Sequence, residues 1–229
     1  MSQSRINQMK KATLGLDDSF RFGCKMCGKC CTNRHDIVLS PMDIHRMCGV
    51  LHVTPLAFYE ENCITTIGSS SHLPVTRLRP VGFDNHCPLL KNHLCSVHKG
   101  KPASCALFPL GRYTENGQVK YFVQPITCGD GSSRQTVREW LKGFNIEAED
   151  KIYVRWGEMI MALREQMIAL EESVDNETVQ LAYRVVLQMM FLEYNQHQDF
   201  TYQLEANFEN TTLLLSDPAK LWAFARGEL

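Results

Sequence analysis

The sequence predicts an α+β fold that is mainly α, with an irregular cysteine-rich module and a small β-hairpin followed by a helical C-terminal part. All ten cysteines lie between Cys24 and Cys128. An Asn116-Gly117 dipeptide between alternating apolar residues predicts the hairpin. After Thr136, apolar residues recur at three- and four-residue spacing, which is typical of amphipathic helices. We therefore expect an N-terminal segment at 1–21, a metal-binding cysteine module at 22–135 and a helical region at 136–229 packed on it.

Two helices are predicted within the cysteine-rich part. Ser40 and Pro41 read as an N-cap and a proline at the first helical position, and Asp43 supplies an acid in the first turn, so a helix should run to about Cys48. Thr54-Pro55 repeats this arrangement. The pattern from 77 to 83, and again from 112 to 125, is more typical of strands.

The C-terminal part is predicted to contain two amphipathic helices and a short final one. The segment 173–177 should join the first two helices, which we expect to pack antiparallel. Asp217-Pro218 opens the final helix. The helical spacing in the first two is carried by Ile152, Trp156, Met159, Leu163, Met167 and Leu170, and by Val179, Tyr183, Val186, Met190 and Tyr194. Methionines at this spacing are expected to fill the core.

Composition excludes some classes of protein. A formal net charge of -1 argues against a main partner of nucleic acid, because such proteins usually carry a basic excess. No stretch approaches the length of a membrane-spanning helix, and the polar start lacks the apolar segment of a secretory signal. We therefore expect a cytoplasmic protein whose thiols stay reduced, which favours metal binding over disulfides.

Four cysteines fall within eight residues, and we call them the quartet: Cys24, Cys27, Cys30 and Cys31. Spacings of three residues let the first three sulfurs turn toward one point when the loop curls, and Gly28 supplies the backbone freedom for the curl. Neighbouring residues usually point in different directions, so Cys30 and Cys31 are poorly suited to one ion. The spacing leaves open whether there is one centre or two.

The other cysteines divide by their surroundings. Cys87, Cys95 and Cys105 lie in a segment rich in proline and glycine, which suits a compact loop wrapped on an ion rather than a regular helix. Cys128 lies in another turn-rich stretch, beside Gly129 and Gly131. Cys48 and Cys63 lie at helix ends, where ordinary burial is expected. The predicted metal ligands are Cys24, Cys27, Cys30, Cys31, Cys87, Cys95, Cys105 and Cys128.

Zinc and an iron-sulfur cluster are both consistent with this set. Eight thiolates would satisfy two tetrahedral zinc ions. Cys24, Cys27 and Cys30 together with Cys87-Pro88 imitate the ferredoxin arrangement of cysteines three residues apart with a later Cys-Pro, which favours an iron-sulfur cluster. Histidines close to the cysteines in sequence could replace a thiolate. They are His35, His86, His93 and His98.

These motifs resemble the YkgJ-type cysteine-cluster family. The resemblance covers roughly 22 to 140, through FGCKMCGKCC, LSPMDIHRM, CPLL, LCSVH, KPASCALFPLG and TCGDG in order. The family is described as zinc- or iron-chelating, so the resemblance implies metal binding through these cysteines. A distant relative, the flagellin lysine methylase, is associated with a 4Fe-4S centre. His98, Lys101-Pro102 and Ala106 depart from the family pattern, which puts in doubt a role that needs arginines for an anionic substrate.

Two classes of function remain. The first is a metal- or cluster-binding protein with an accessory, electron-transfer or metal-handling role for another protein. The second is a metal-dependent enzyme such as a protein methyltransferase. The sequence contains no glycine-rich turn for a nucleotide-derived cofactor and no convincing nucleophile with its base. The first class is therefore favoured.

Overall fold

The chain folds into two compact units that are each built from two stretches of sequence. The computed structural model describes residues 13–25, 27–92, 94–125, 128–144, 146 and 150–229. The first unit contains residues 1–37 and 80–154, and we call it the cysteine unit. The second contains residues 38–79 and 155–229, and we call it the helical unit. The segmentation at 22–135 and 136–229 stays a prediction.

The predicted fold class is confirmed, since the structure is 48% helical and 21% strand, with short antiparallel pairs. The strands are β1 (Thr13–Leu14), β2 (Ser19–Gly23), β3 (Cys63–Ile67), β4 (Pro74–Leu78), β5 (Leu90–Lys91), β6 (Leu94–Cys95), β7 (Leu110–Glu115), β8 (Gln118–Val123) and β9 (Asp130–Thr136). The helices are α1 (Pro41–Leu51), α2 (Pro55–Asn62), α3 (Ala103–Leu107), α4 (Val137–Lys142), α5 (Asp150–Ser173), α6 (Asn176–Leu187), α7 (Phe200–Leu215) and α8 (Pro218–Ala225). None of the helices in the described ranges is long and apolar enough to cross a membrane.

Three sets of strands organise the cysteine unit. Strands β1, β8 and β7 form an antiparallel sheet in that order, and β7 and β8 are the predicted hairpin. Its turn is closed by Asn116 and Gly117, both with positive φ, which is the backbone that an Asn-Gly turn requires. Strand β2 pairs with β9, and β5 pairs with β6. The β2–β9 pair brings the residues that precede Cys24 next to those that follow Cys128.

Aromatic side chains fill the core of the cysteine unit. Phe20 and Phe22 point to the buried face of β2, and the ring of Trp140 in α4 meets both edge-on, at centroid distances of 5.9 and 5.8 Å. The indole nitrogen of Trp140 donates to the carbonyl oxygen of Leu107 at 3.1 Å, which satisfies its one polar group. The core therefore ties β2 to α3 and α4.

The helical unit is built on the predicted amphipathic helices. In α5 the buried residues recur at the expected spacing, and the Asp175 side chain caps α6 by accepting from the Thr178 amide. Trp156 meets Phe191 edge-on at 5.8 Å. The buried residues of α5 and α6 include Met159, Leu163, Met167, Leu170, Val179, Ala182, Val185 and Val186. Periodicity thus identified the buried residues of α5 and, in α6, Val179 and Val186, whereas Ala182 and Val185 were not predicted and Tyr183 is only partly buried.

Some predicted boundaries were wrong. The strand expected at 77–83 lies earlier, at β4, because it pairs with β3 from Cys63 to Ile67. The second amphipathic pattern does not end as an α-helix, since residues 188–192 form a π-helical turn. Helix α7 was not predicted, although Asp199 caps it by accepting from the Tyr202 amide.

The predicted start of α1 is confirmed and is a capping box. The Ser40 hydroxyl accepts from the Asp43 amide at 3.3 Å, and Asp43 accepts from the Ser40 amide at 2.8 Å. We expect S40A to lower the free energy of unfolding by about 1 kcal/mol, because it removes the hydroxyl that accepts from the Asp43 amide and donates to its carboxylate. Urea unfolding measures this change. S40T retains the acceptor and should recover most of the loss; equal losses in both variants would contradict the capping role.

Candidate metal centre

The eight predicted ligands all belong to the cysteine unit, whereas Cys48 and Cys63 belong to the helical unit. Cys48 is 0% exposed and Cys63 is 5% exposed, so the predicted burial of both is confirmed. Burial raises the pKa of each of these two thiols to about 12. They stay protonated at neutral pH, and a protonated buried thiol is a poor metal ligand.

The quartet follows β2 on a tight turn. Cys24 and Cys27 are exposed, and Gly28, at φ 71°, starts a 3-10 turn that contains Cys30 and Cys31. The Cys31 amide donates to the Gly28 carbonyl at 2.8 Å, which closes the turn. The left-handed backbone at Gly28 is one that glycine adopts without strain.

Cys30 and Cys31 approach each other more closely than their adjacency suggests. Their sulfurs are 3.8 Å apart. Two thiolates on one tetrahedral zinc, each at about 2.3 Å from the ion, would be separated by about 3.8 Å. The expectation that neighbouring thiols point apart therefore does not hold for this turn, and one ion could accept both sulfurs.

The distant Cys87 is tied directly to the quartet. Its amide donates to the Cys31 carbonyl at 2.8 Å, so the Cys87-Pro88 dipeptide lies beside the turn. Leu90 donates its amide to the Cys87 carbonyl at 3.0 Å and pairs with Cys95 across the small β5–β6 hairpin. Cys31, Cys87 and Cys95 thus share one continuous backbone network.

The last two predicted ligands enter from other elements. Cys105 lies in the short helix α3, not in a loop as expected, and its amide donates to the Pro102 carbonyl at 2.9 Å. Cys128 directly precedes Gly129 and β9. Partial burial raises the pKa of the Cys128 thiol, and the nearby Cys27, Cys30 and Cys24 raise it further. Cys128 therefore faces the quartet.

The surroundings of Cys30 favour its thiolate form. A hydrogen bond from Cys31 lowers the pKa of Cys30 to about 6, and the positive charges of Lys101 and Arg34 assist. The same hydrogen bond, together with burial and the neighbouring thiols, raises the pKa of Cys31. The thiolate is the form that binds metal. Cys30 is therefore favoured as a thiolate ligand at neutral pH.

Two cations offset the negative charge that a set of thiolates would accumulate. Arg34 donates from Nη1 to the Cys30 carbonyl at 3.0 Å and from Nε to Asp36 at 2.6 Å. The Lys101 ammonium lies 4.1 Å from the centre of the Phe144 ring, and its positive charge also favours the thiolate of Cys95. Such outer cations stabilise metal-bound thiolates. The sequence contained no signal that Lys101 would lie close to Cys30.

The thiols lie near one another without being closed around one point. Within the described ranges, no group of three Cys, His, Asp or Glu side chains is already arranged to hold a metal ion. The donor chemistry nevertheless fits zinc or an iron-sulfur cluster, since both take thiolates. The 3.8 Å between the Cys30 and Cys31 sulfurs also fits two thiolates bound to one zinc ion.

The histidines show weaker links to the site. His86 makes a 2.6 Å hydrogen bond to Asp84 through Nδ1. The His98 ring lies 5.9 Å from that of Phe144, and burial lowers the pKa of His98. His35 is exposed, and His93 lies outside the described residues. Replacement of a thiolate by one of these side chains stays a hypothesis.

Comparison with protein families identifies the region that carries the cysteines. Residues 23–129 match the CxxCxxCC family model, described as a "putative zinc- or iron-chelating domain". The match begins immediately before the quartet and ends immediately after Cys128, so it includes all eight predicted ligands. No curated protein and no solved structure matches the chain.

Proposed function

We propose that the cysteine unit, whose residues 23–129 match the model of a zinc- or iron-chelating domain, holds an iron-sulfur cluster and acts in electron transfer or metal handling for another protein. The observation that carries this proposal is the hydrogen bond from the Cys87 amide to the Cys31 carbonyl. This bond holds the Cys87-Pro88 dipeptide, which is distant in sequence, beside the quartet.

The pattern supports an iron-sulfur cluster for a chemical reason. Ferredoxin-type clusters are held by cysteines three residues apart and a later cysteine followed by proline. Here Cys24, Cys27 and Cys30 have the first spacing, and Cys87-Pro88 supplies the second feature. The cluster would supply one-electron chemistry. Arg34 and Lys101 would offset the charge of its thiolates.

Zinc is the second candidate, and a specific distance favours it. The 3.8 Å between the Cys30 and Cys31 sulfurs matches two thiolates on one tetrahedral ion. A closed zinc site would give the cysteine unit a structural centre, with the role of the protein residing in its contacts with a partner.

Anaerobic purification followed by metal analysis and visible absorption spectroscopy tests the proposal. We expect iron with inorganic sulfide, and a brown protein whose colour is lost on exposure to a strong iron chelator. A colourless protein with about two zinc ions per chain would overturn the cluster in favour of zinc. A protein that takes up neither metal, before or after anaerobic reconstitution, would overturn metal binding itself.

A further inference from the structure

The cysteines predicted to bind metal are more numerous than the ligands of one centre. A tetrahedral zinc ion and an iron-sulfur cluster are each held by four thiolates. All eight cysteines belong to the cysteine unit, so a single centre would leave four of them unused. The elements that carry the thiols indicate how the eight divide.

Three of the thiols lie at one end of the β2–β9 pair. Cys24 directly follows β2, and Cys128 lies two residues before β9. The two strands pair at this end through Gly23 and Asp130. Burial raises the pKa of the Cys128 thiol, and the charges of Cys27 and Cys24 and a hydrogen bond with Cys27 raise it further. Cys24, Cys27 and Cys128 therefore form one group.

Four other thiols lie around the β5–β6 pair. The Cys87 amide donates to the Cys31 carbonyl at 2.8 Å, and Cys95 belongs to β6. Burial raises the pKa of Cys87, and the charge of Cys95 raises it further. A hydrogen bond with Cys30 and burial raise the pKa of Cys31, and the charges of Cys87 and Cys105 add to this effect. Cys31, Cys87, Cys95 and Cys105 therefore form a second group.

Cys30 lies between the two groups. Its sulfur is 3.8 Å from that of Cys31. Its charge adds to burial in raising the pKa of Cys128 in the first group and of Cys87 in the second. The second group already contains four thiols, whereas the first contains three and shares its three-residue spacing with Cys30. Cys30 therefore completes the first group.

The Cys87-Pro88 dipeptide supports the same division. In ferredoxins with two clusters, the first three cysteines of the motif bind one cluster and the cysteine before proline binds the other. Cys87 is likewise separated from the three evenly spaced cysteines of the quartet, because its amide bonds to the carbonyl of Cys31. The boundary between the groups thus falls between the adjacent Cys30 and Cys31.

We propose that the eight cysteines form two metal centres with four ligands each. The first set is Cys24, Cys27, Cys30 and Cys128, and the second set is Cys31, Cys87, Cys95 and Cys105. Among the described residues no three such side chains already surround one point, so each set closes when its metal binds. The inference rests on the proposed function, that these cysteines bind metal, and adds the number of centres and the ligands of each. It applies to two zinc ions as well as to two iron-sulfur clusters.

Double cysteine-to-serine variants of the full-length chain, reconstituted anaerobically with iron and sulfide or with zinc, test this division. C24S/C128S removes two ligands of the first set, so the second set should retain about half of the metal. C95S/C105S should also retain about half. C105S/C128S is the matched control, since it carries the same number of substitutions but removes one ligand from each set, and it should retain almost none. The metal that C87S removes should be that of the second set.

The same comparison assigns the two adjacent cysteines. C30S/C128S removes two ligands of the first set and should retain about half of the metal. C31S/C128S affects both sets and should retain almost none. The opposite result would overturn the proposed boundary between Cys30 and Cys31.

Alkylation of the unchanged protein gives a measurement that does not depend on the folding of any variant. Thiolates react with iodoacetamide, and metal-bound thiolates are protected. Cys24 and Cys27 are exposed and should react in the metal-free chain. After metal loading, mass spectrometry should find all eight predicted ligands protected.

Three outcomes would overturn the inference. The first is equal metal retention in same-set and cross-set double variants. The second is metal for one centre in the unchanged protein, with four of the eight cysteines still alkylated; this result would remove the second centre and leave the proposed metal binding intact. The third is an unchanged protein that takes up no metal, which would overturn the proposed function together with this inference.

Discussion

Replacing Cys87 with serine is expected to remove bound metal and to destabilise the cysteine unit by several kcal/mol. Cys87 is tied to Cys31 through its amide and to Leu90 through its carbonyl, so it stands between the quartet and the β5–β6 hairpin. A structural metal site contributes on the order of 10 kcal/mol to folding, and the loss of one ligand forfeits much of that amount. Metal content per chain and urea unfolding measure the two effects.

The same substitution at Cys63 provides the control. C63S should leave metal content unchanged, because Cys63 belongs to the helical unit and is 5% exposed. It should still cost about 1–3 kcal/mol, since it places a hydroxyl group in an apolar environment. Full metal content in C87S would contradict the assignment of Cys87 as a ligand. Loss of metal in C63S would contradict the division of the cysteines into metal ligands in the cysteine unit and buried thiols in the helical unit.

Replacing Gly129 with alanine is expected to cost about 2–4 kcal/mol and to reduce metal binding. Gly129 has φ 76°, and an added Cβ would collide with the Phe22 ring and lie 2.8 Å from the Gly23 carbonyl oxygen. The left-handed backbone and the overpacked core each contribute to the cost. Gly23 precedes Cys24, and Cys128 precedes Gly129, so the collision would displace both thiols. Thermal unfolding with metal analysis measures both effects.

Gly117 distinguishes packing from backbone strain. It also has a left-handed backbone, with φ 71°, but among the described residues, its two chain neighbours aside, no heavy atom lies within 4 Å of the position of an added Cβ. G117A should therefore cost only about 1–2 kcal/mol and leave metal content unchanged. Equal costs for G117A and G129A would mean that the contact with Phe22 contributes nothing.

Local signals account for the features that the sequence predicted well. The capping box at Ser40 and the turn at Asn116-Gly117 depend on interactions between residues a few positions apart, so each can be recognised from a short segment. The buried face of α5 follows from periodicity in the same way. These elements needed no knowledge of the rest of the chain.

Long-range pairing explains what the sequence left unpredicted. Strand β9 is mostly polar and exposed, with no alternation of apolar residues, and it becomes a strand because β2 pairs with it. The approach of Lys101 to Cys30 likewise depends on how α3 packs. The cysteine spacing predicted which residue types could bind metal, but the bond from Cys87 to Cys31 joins segments that are far apart in sequence.

The path of the chain between the two halves of the cysteine unit has a kinetic consequence. The chain leaves this unit after Ile37 and returns at Pro80, so the bond between Cys31 and Cys87 closes a loop that includes a whole stretch of the helical unit. Loop-closure entropy must be overcome before such a contact stabilises the fold, and contacts of high sequence separation slow folding. We therefore expect the quartet to form its local turn early and its junction with Cys87 to form late and slowly.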